Sequence, residues 1–251
     1  AGLELLGEFA CRESEASCRR RRERDVDALA GIADAHDTFD PADPLEAVLE
    51  GRGSVAELEH ASVASFARFT LQLMALGAPS SLLAQAQQAG LDEVEHARLA
   101  YGLARRFGGS VLKAGPLSLA GALEPETMTD PEAILRATLR EGCIGETLAA
   151  ATAAMAAQRC EDRQTKAVLE QIAEDELRHA TLAWETLAWA REAFPEALRR
   201  ALVGWKREVE PFAEDSDGAP EWGVLGRNDE LLICRRVMES TIAPAIQQLL
   251  S

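Results

Sequence analysis

Asp92-Glu-Val-Glu-His96-Ala-Arg-Leu-Ala-Tyr101 and Asp175-Glu-Leu-Arg-His179-Ala-Thr-Leu-Ala-Trp184 are two copies of one phrase, Asp-Glu-x-x-His-Ala-x-Leu-Ala followed by an aromatic residue. Residues three apart on a helix share a face. Glu93 and His96 therefore present a carboxylate and an imidazole to one point, and Glu176 and His179 do the same. Each phrase has a glutamate upstream, Glu59 lying 34 residues before Glu93 and Glu146 lying 30 before Glu176. That separation suits a helix, a turn and a returning helix. The unit is a hairpin with one glutamate on its first helix and Glu-x-x-His on its second, used twice. Two such hairpins packed together bring Glu59, Glu93, His96, Glu146, Glu176 and His179 to one place, the ligand set of a two-metal carboxylate centre. Four carboxylates buried without cations would each cost several kcal/mol, and two divalent ions offset them.

Outward from these phrases the chain reads helical, with apolar residues recurring at three- and four-residue steps and few β-branched runs. The first long helix is expected to start at residues 51–54, where Ser54 and Glu57 match a capping box, and to run to about Ala75. Gly77-Ala-Pro79 breaks it. A second helix runs from Ser80 to about Phe107. Some twenty residues with Pro116, Gly121 and Pro125 follow, too long for a tight turn. Asp130-Pro131-Glu132 starts a third helix, a capping carboxylate followed by Pro where its missing N–H does not matter. It reaches about Gln158. After a polar break at 159–163 a fourth helix runs to about Ala193, and Pro195 starts a short fifth. The expected fold is all-α: a four-helix bundle with one long crossover, residues 51–208, preceded by a charged extension, 1–50. Residues 209–251 are expected to form an acidic linker or surface loop, 209–228, and an amphipathic helix, 229–250, interrupted by Pro244 and docking through Leu231, Leu232, Val237, Ile242 and Ile246.

On the first helix Glu57 and His60 offer a competing Glu-x-x-His, but the repeat aligns Glu59 with Glu146, and Glu57 is engaged by the cap. His60 lies about 100° around the helix from Glu59 and reads as a surface or neighbouring histidine. Asp92 and Asp175 are candidates to accept the second N–H of the ligating histidines. Cys143, Tyr101 and Trp184 read as core packing, with lining the cavity or relaying electrons as the alternatives. Ala149, Ala150, Ala153 and Ala157 on the third helix leave room beside the metals or serve close helix packing.

Composition narrows the partners. The net charge of −16, from 26 basic and 42 acidic residues, repels nucleic acid and anionic membranes. The four consecutive arginines at 19–22 are a local exception and read as a solvated face. No apolar run approaches the ~20 residues that span a bilayer, no secretory signal is seen, and the expected location is cytoplasmic. Five cysteines, an odd number without a CxxC, argue against a zinc ribbon or a disulfide framework.

The doubled Asp-Glu-x-x-His and the Glu59-His-Ala-Ser-x-x-x-Phe66 stretch resemble the ferritin-like superfamily of di-iron carboxylate proteins, and the wording of the first helix is similar to uncharacterised bacterial ferritin-like proteins. The resemblance covers about residues 53–192. It implies a ferritin-like bundle, two Fe ions, with Mn as the alternative, and chemistry with O2. Rubrerythrins in that superfamily carry a further ligand glutamate three residues after the third-helix one; here that position is Ala149. N-oxygenase relatives add a histidine, for which only His36 or His60 is available. The expected function is an O2-dependent oxygenase or oxidase of a small organic substrate, served by an electron donor and acting as a monomer or homodimer. The alternatives are a protein that oxidises, buffers or stores iron without an organic substrate, and an interaction module with a purely structural metal site.

Overall fold

The computed structural model describes residues 45–108, 114–119, 122–203, 205 and 218–251, with side chains from Val55 onward. Most of the expected extension lies outside these residues, as do His36, Cys11, Cys18 and the arginines at 19–22. Helix α1 spans Leu45–Leu76, so it starts before Ser54, and Gly51, Gly53 and Ser54 lie inside it. Two glycines weaken a helix by about 1 kcal/mol each, too little to break a 32-residue helix. Its end follows the sequence. Gly77 takes φ +69, and the N–H groups of Gly77 and Ala78 close onto Met74 and Leu73, a left-handed cap that suits glycine. Pro79 follows, and α2 (Ser80–Gly108) returns along α1.

After a short helix α3 (Pro125–Thr129), a third rod occupies residues 131–159. Asp130 caps it by accepting the Ala133 N–H at 3.1 Å. It consists of α4 (Pro131–Ala137), a π-helical stretch (Thr138–Glu146) and α5 (Thr147–Arg159), and the backbone stays helical at both joints. Asp162 then caps α6 (Arg163–Ala193) through the Thr165 N–H and receives both ends of the Arg106 fork at 2.8 and 3.1 Å, tying the end of α2 to the start of α6. Helices α2 and α6 pack together, and α6 also packs on the third rod. Helix α1 meets that rod only at scattered points.

Helix α7 (Pro195–Leu202) folds back on α4. Residues 209–217 of the expected linker lie outside the described residues. The part from 218 to 226 is docked, not free: Ala219 and Leu225 are buried, and Trp222 meets Phe107 edge-on at 5.6 Å. Helix α8 (Arg227–Val237), a second π-helical stretch (Met238–Ile242) and α9 (Ala243–Leu250) finish the chain. Val237, Ile242 and Ile246 are buried as expected; Ile233 and Met238 join them, while Leu231 and Leu232 face solvent. Among the described residues there is no strand, and no helix is long and apolar enough to cross a membrane.

One contact sets how closely the third rod approaches α6. A Cβ on Gly142 would stand 2.5 Å from the Cβ of Ala183. Gly142→Ala is therefore expected to cost about 1–3 kcal/mol by urea denaturation. Adding Ala183→Gly should return most of it. Equal loss in the single and double variants would mean that the backbone freedom of Gly142, not this contact, matters.

Candidate metal centre

The rods deliver the six expected residues to one place. Glu59 comes from α1, Glu93 and His96 from α2, Glu146 from the last position of the π stretch, and Glu176 and His179 from α6. They form two overlapping groups that could each hold a metal ion, Glu59–Glu93–His96–Glu176 and Glu93–Glu146–Glu176–His179, with ligand atoms within 4.8 Å of one another in each. Glu93 and Glu176 belong to both. Around Nδ1 of His96 stand Glu176 at 3.4 Å, Glu59 at 3.5 Å and Glu93 at 3.7 Å. Around Nδ1 of His179 stand Glu93 at 3.0 Å, Glu176 at 3.3 Å and Glu146 at 3.9 Å. Ligands about 2.1 Å from one ion at right angles lie about 3 Å apart, so these gaps are of the right order.

The donor atoms fit an ion. Both oxygens of Glu93 and Nδ1 of His96 are buried without a hydrogen bond, although buried polar atoms ordinarily find one. Imidazole with carboxylate suits iron, manganese or zinc.

The outer faces of the histidines are also occupied, and the pairing is crossed. Nε2 of His96 on α2 donates to Asp175 on α6 at 3.1 Å, and Nε2 of His179 on α6 donates to Asp92 on α2 at 3.3 Å. Each aspartate thus serves the histidine of the other phrase, not the one four residues along its own helix. This fixes Nδ1 of both rings as the inward atom. Arg178 bridges the two aspartates, 2.9 Å from Asp92 and 2.6 Å from Asp175, and Gln88 donates to Asp92 at 3.0 Å. Sequence reasoning missed Arg178 and Gln88. Their only signal was spacing: Arg178 follows Asp175 by three residues and Gln88 precedes Asp92 by four.

The remaining candidates stay outside the cluster. Glu57 is exposed and His60 half-buried, and neither joins a ligand group. Cys143 and Trp184 lie in the core packed between the third rod, α6 and α8, and Tyr101 is half-buried. Phe66 meets the His179 ring edge-on at 4.9 Å. Glu59 and Glu146 are 12% and 18% exposed, against 0–5% for the other four. The centre is sealed between α2 and α6 and open between α1 and the third rod. A cavity of about 40 Å3 lies in that gap and reaches Glu146 and His179. Its small lining residues are Ser65, Ala137, Gly142 and Ala183, not the expected Ala149, Ala150, Ala153 and Ala157.

Without metal the charges sort themselves. Burial, with the neighbouring glutamates, pushes Glu59 up to about 7 and Glu146 well above the usual carboxylate range. Burial works against a charged His179, but Asp92, Glu176 and Glu93 outweigh it and raise its pKa to about 10; His96 is raised in the same way, through Asp175, Glu176, Glu59 and Glu93. All four groups hold protons more tightly folded than unfolded. Stability from such groups is fully present below the unfolded pKa and lost as pH rises through the folded one. Chelator-treated protein should thus melt progressively lower from about pH 5 to 8. Metal binding must displace these protons, so the added stability from metal should grow over the same range. A gap between the two melting curves that is constant with pH would show that no such protons are displaced.

No protein-family model, curated protein or solved structure matches this chain.

Proposed function

We propose that the chain is a ferritin-like non-haem di-iron oxidoreductase that activates O2 to hydroxylate or oxidise a small organic substrate. The observation that carries this reading is the pair of overlapping ligand groups sharing the buried Glu93 and Glu176, with a cavity that reaches Glu146 and His179. Two bound iron ions would supply electrons to O2. The chain's own part is positional. Asp175, Asp92 and Arg178 hold the imidazoles with Nδ1 inward, and the α2–α6 contact keeps water from the closed side. The more exposed Glu59 and Glu146 leave O2 and substrate an approach between α1 and the third rod. The cytoplasm, an electron donor and a monomer or homodimer belong to the same proposal.

The net charge of −16 concentrates cations around the molecule and favours one other reading, a protein that oxidises, buffers or stores iron. Iron loading separates them. Anaerobic protein should take up about two ions per chain, and the iron(II) form should consume about one O2 per pair and then stop until electrons and substrate are supplied, because each O2 takes two electrons from the pair. Saturation at one ion per chain would remove the centre as proposed. Soluble retention of tens of irons per chain, in a particle of many subunits, would replace the enzyme with the storage protein.

A further inference from the structure

The cavity beside Glu146 and His179 has an ion pair at its outer end. Arg68 on α1 and Glu141 in the π stretch both line it and pair with each other, at 24% and 40% exposure, while His179 at its other end is sealed. Phe66 and Phe69 make its walls apolar. Three details set Arg68 apart from a surface ion pair. One terminal nitrogen of the guanidinium holds Glu141, while its Nε is buried and has no hydrogen-bond partner. Glu141 does not depend on Arg68, because its other oxygen accepts from Arg140, a largely exposed residue, at 2.9 Å. A free carboxylate can also use a guanidinium two-pronged, taking both Nε–H and a terminal N–H.

We propose that this cavity is a subsite for a small organic carboxylate whose head group replaces Glu141 on Arg68. The exchange gains the bond that Nε lacks, and Glu141 turns to Arg140. A water needs about 10–15 Å3 of such space, so about 40 Å3 admits roughly three or four heavy atoms, an acid the size of formate or acetate. With its carboxylate on Arg68, its carbon end would share the cavity with Phe66, Phe69, Glu146 and His179. In a chain of net charge −16, Arg68 becomes a local cation able to select an anion only once Glu141 has turned to Arg140. The inference rests on the reading of the centre as an oxidase and names its substrate class.

Acetate is the probe. Metal-loaded full-length protein is titrated with acetate by calorimetry, and the Nε–H resonance of Arg68 is followed by NMR. The expected result is saturable binding that shifts this resonance. Arg68→Gln should weaken binding at least tenfold at unchanged metal content, Arg68→Lys should weaken it less, and Glu141→Gln should tighten it several-fold by removing the internal competitor. Benzoate should not bind. Equal acetate affinity in wild type and both Arg68 variants would place acetate on the metals and overturn the proposal. So would weaker binding in Glu141→Gln, or no binding by either wild type or Glu141→Gln. Failure of the oxidase reading looks different: acetate would still bind through Arg68, while the iron(II) protein would not react with O2.

Discussion

Glu176→Gln is expected to empty both halves of the centre, from about two ions per chain to nearly none. Glu176 belongs to both ligand groups, whereas Glu59 and Glu146 each belong to one. Glu59→Ala should therefore lose one ion and Glu146→Ala the other, each with at least a tenfold fall in affinity at its own half. Glu57→Ala is the control. Glu57 is exposed and lies well inside α1, so it has no cap to lose; both ions should stay and stability should change by no more than about 0.5 kcal/mol. Elemental analysis after anaerobic loading and desalting reads all four variants. If Glu176→Gln kept one full ion, Glu176 would not be shared. If Glu57→Ala lost metal while Glu59→Ala kept it, the first-helix ligand would be the wrong glutamate.

The crossed aspartates give the second expectation. Carboxylates behind ligating histidines are worth about 10–100-fold in metal affinity. Asp175→Asn should weaken the half held by Glu59 and His96, and Asp92→Asn the half held by Glu146 and His179. Arg178→Gln should weaken both together, because one guanidinium holds both aspartates. Stepwise titration with a chromophoric divalent ion such as Co2+ resolves the halves. If Asp92→Asn weakened only the His96 half, each aspartate would serve its own helix and the crossed geometry would be wrong. If Arg178→Gln left both halves intact, that residue would be only a surface ion pair.

The six candidate ligands were legible because helix geometry makes Glu-x-x-His a statement about direction, and the phrase occurs twice. Asp130-Pro131 was legible for a similar reason: a cap and a Pro at the first turn are local chemistry, and Asp130 does accept the Ala133 N–H. What escaped depends on partners far along the chain. Asp92 and Asp175 were marked as candidates, and each does meet a histidine, but which one is decided by how α2 lies on α6. Arg178 reads as a solvated charge until Asp92 is brought to it from 86 residues away. The glycines at 51 and 53 read as breakers because propensity is a weak local preference that a long helix overrides. No residue type announces the π stretch that ends at Glu146, which is a property of hydrogen-bond register alone. Arg68 closes the first-helix wording Glu59-His-Ala-Ser-Val-Ala-Ser-Phe-Ala-Arg68 without a role of its own, and its place beside the cavity follows from the sparse packing of α1 against the third rod.

The crossed hydrogen bonds bear on how such a chain divides. A fragment holding only the first hairpin would keep His96 but lose Asp175 behind it, and the second hairpin alone would keep His179 without Asp92. Neither half can orient its own imidazole, yet two repeats facing each other complete one another. The repeated phrase therefore describes a hydrogen-bond network that is complete as a pair and incomplete as a unit. Carrying both phrases on one chain keeps each imidazole and its aspartate at a fixed stoichiometry, so loss of either phrase strips the other of its support.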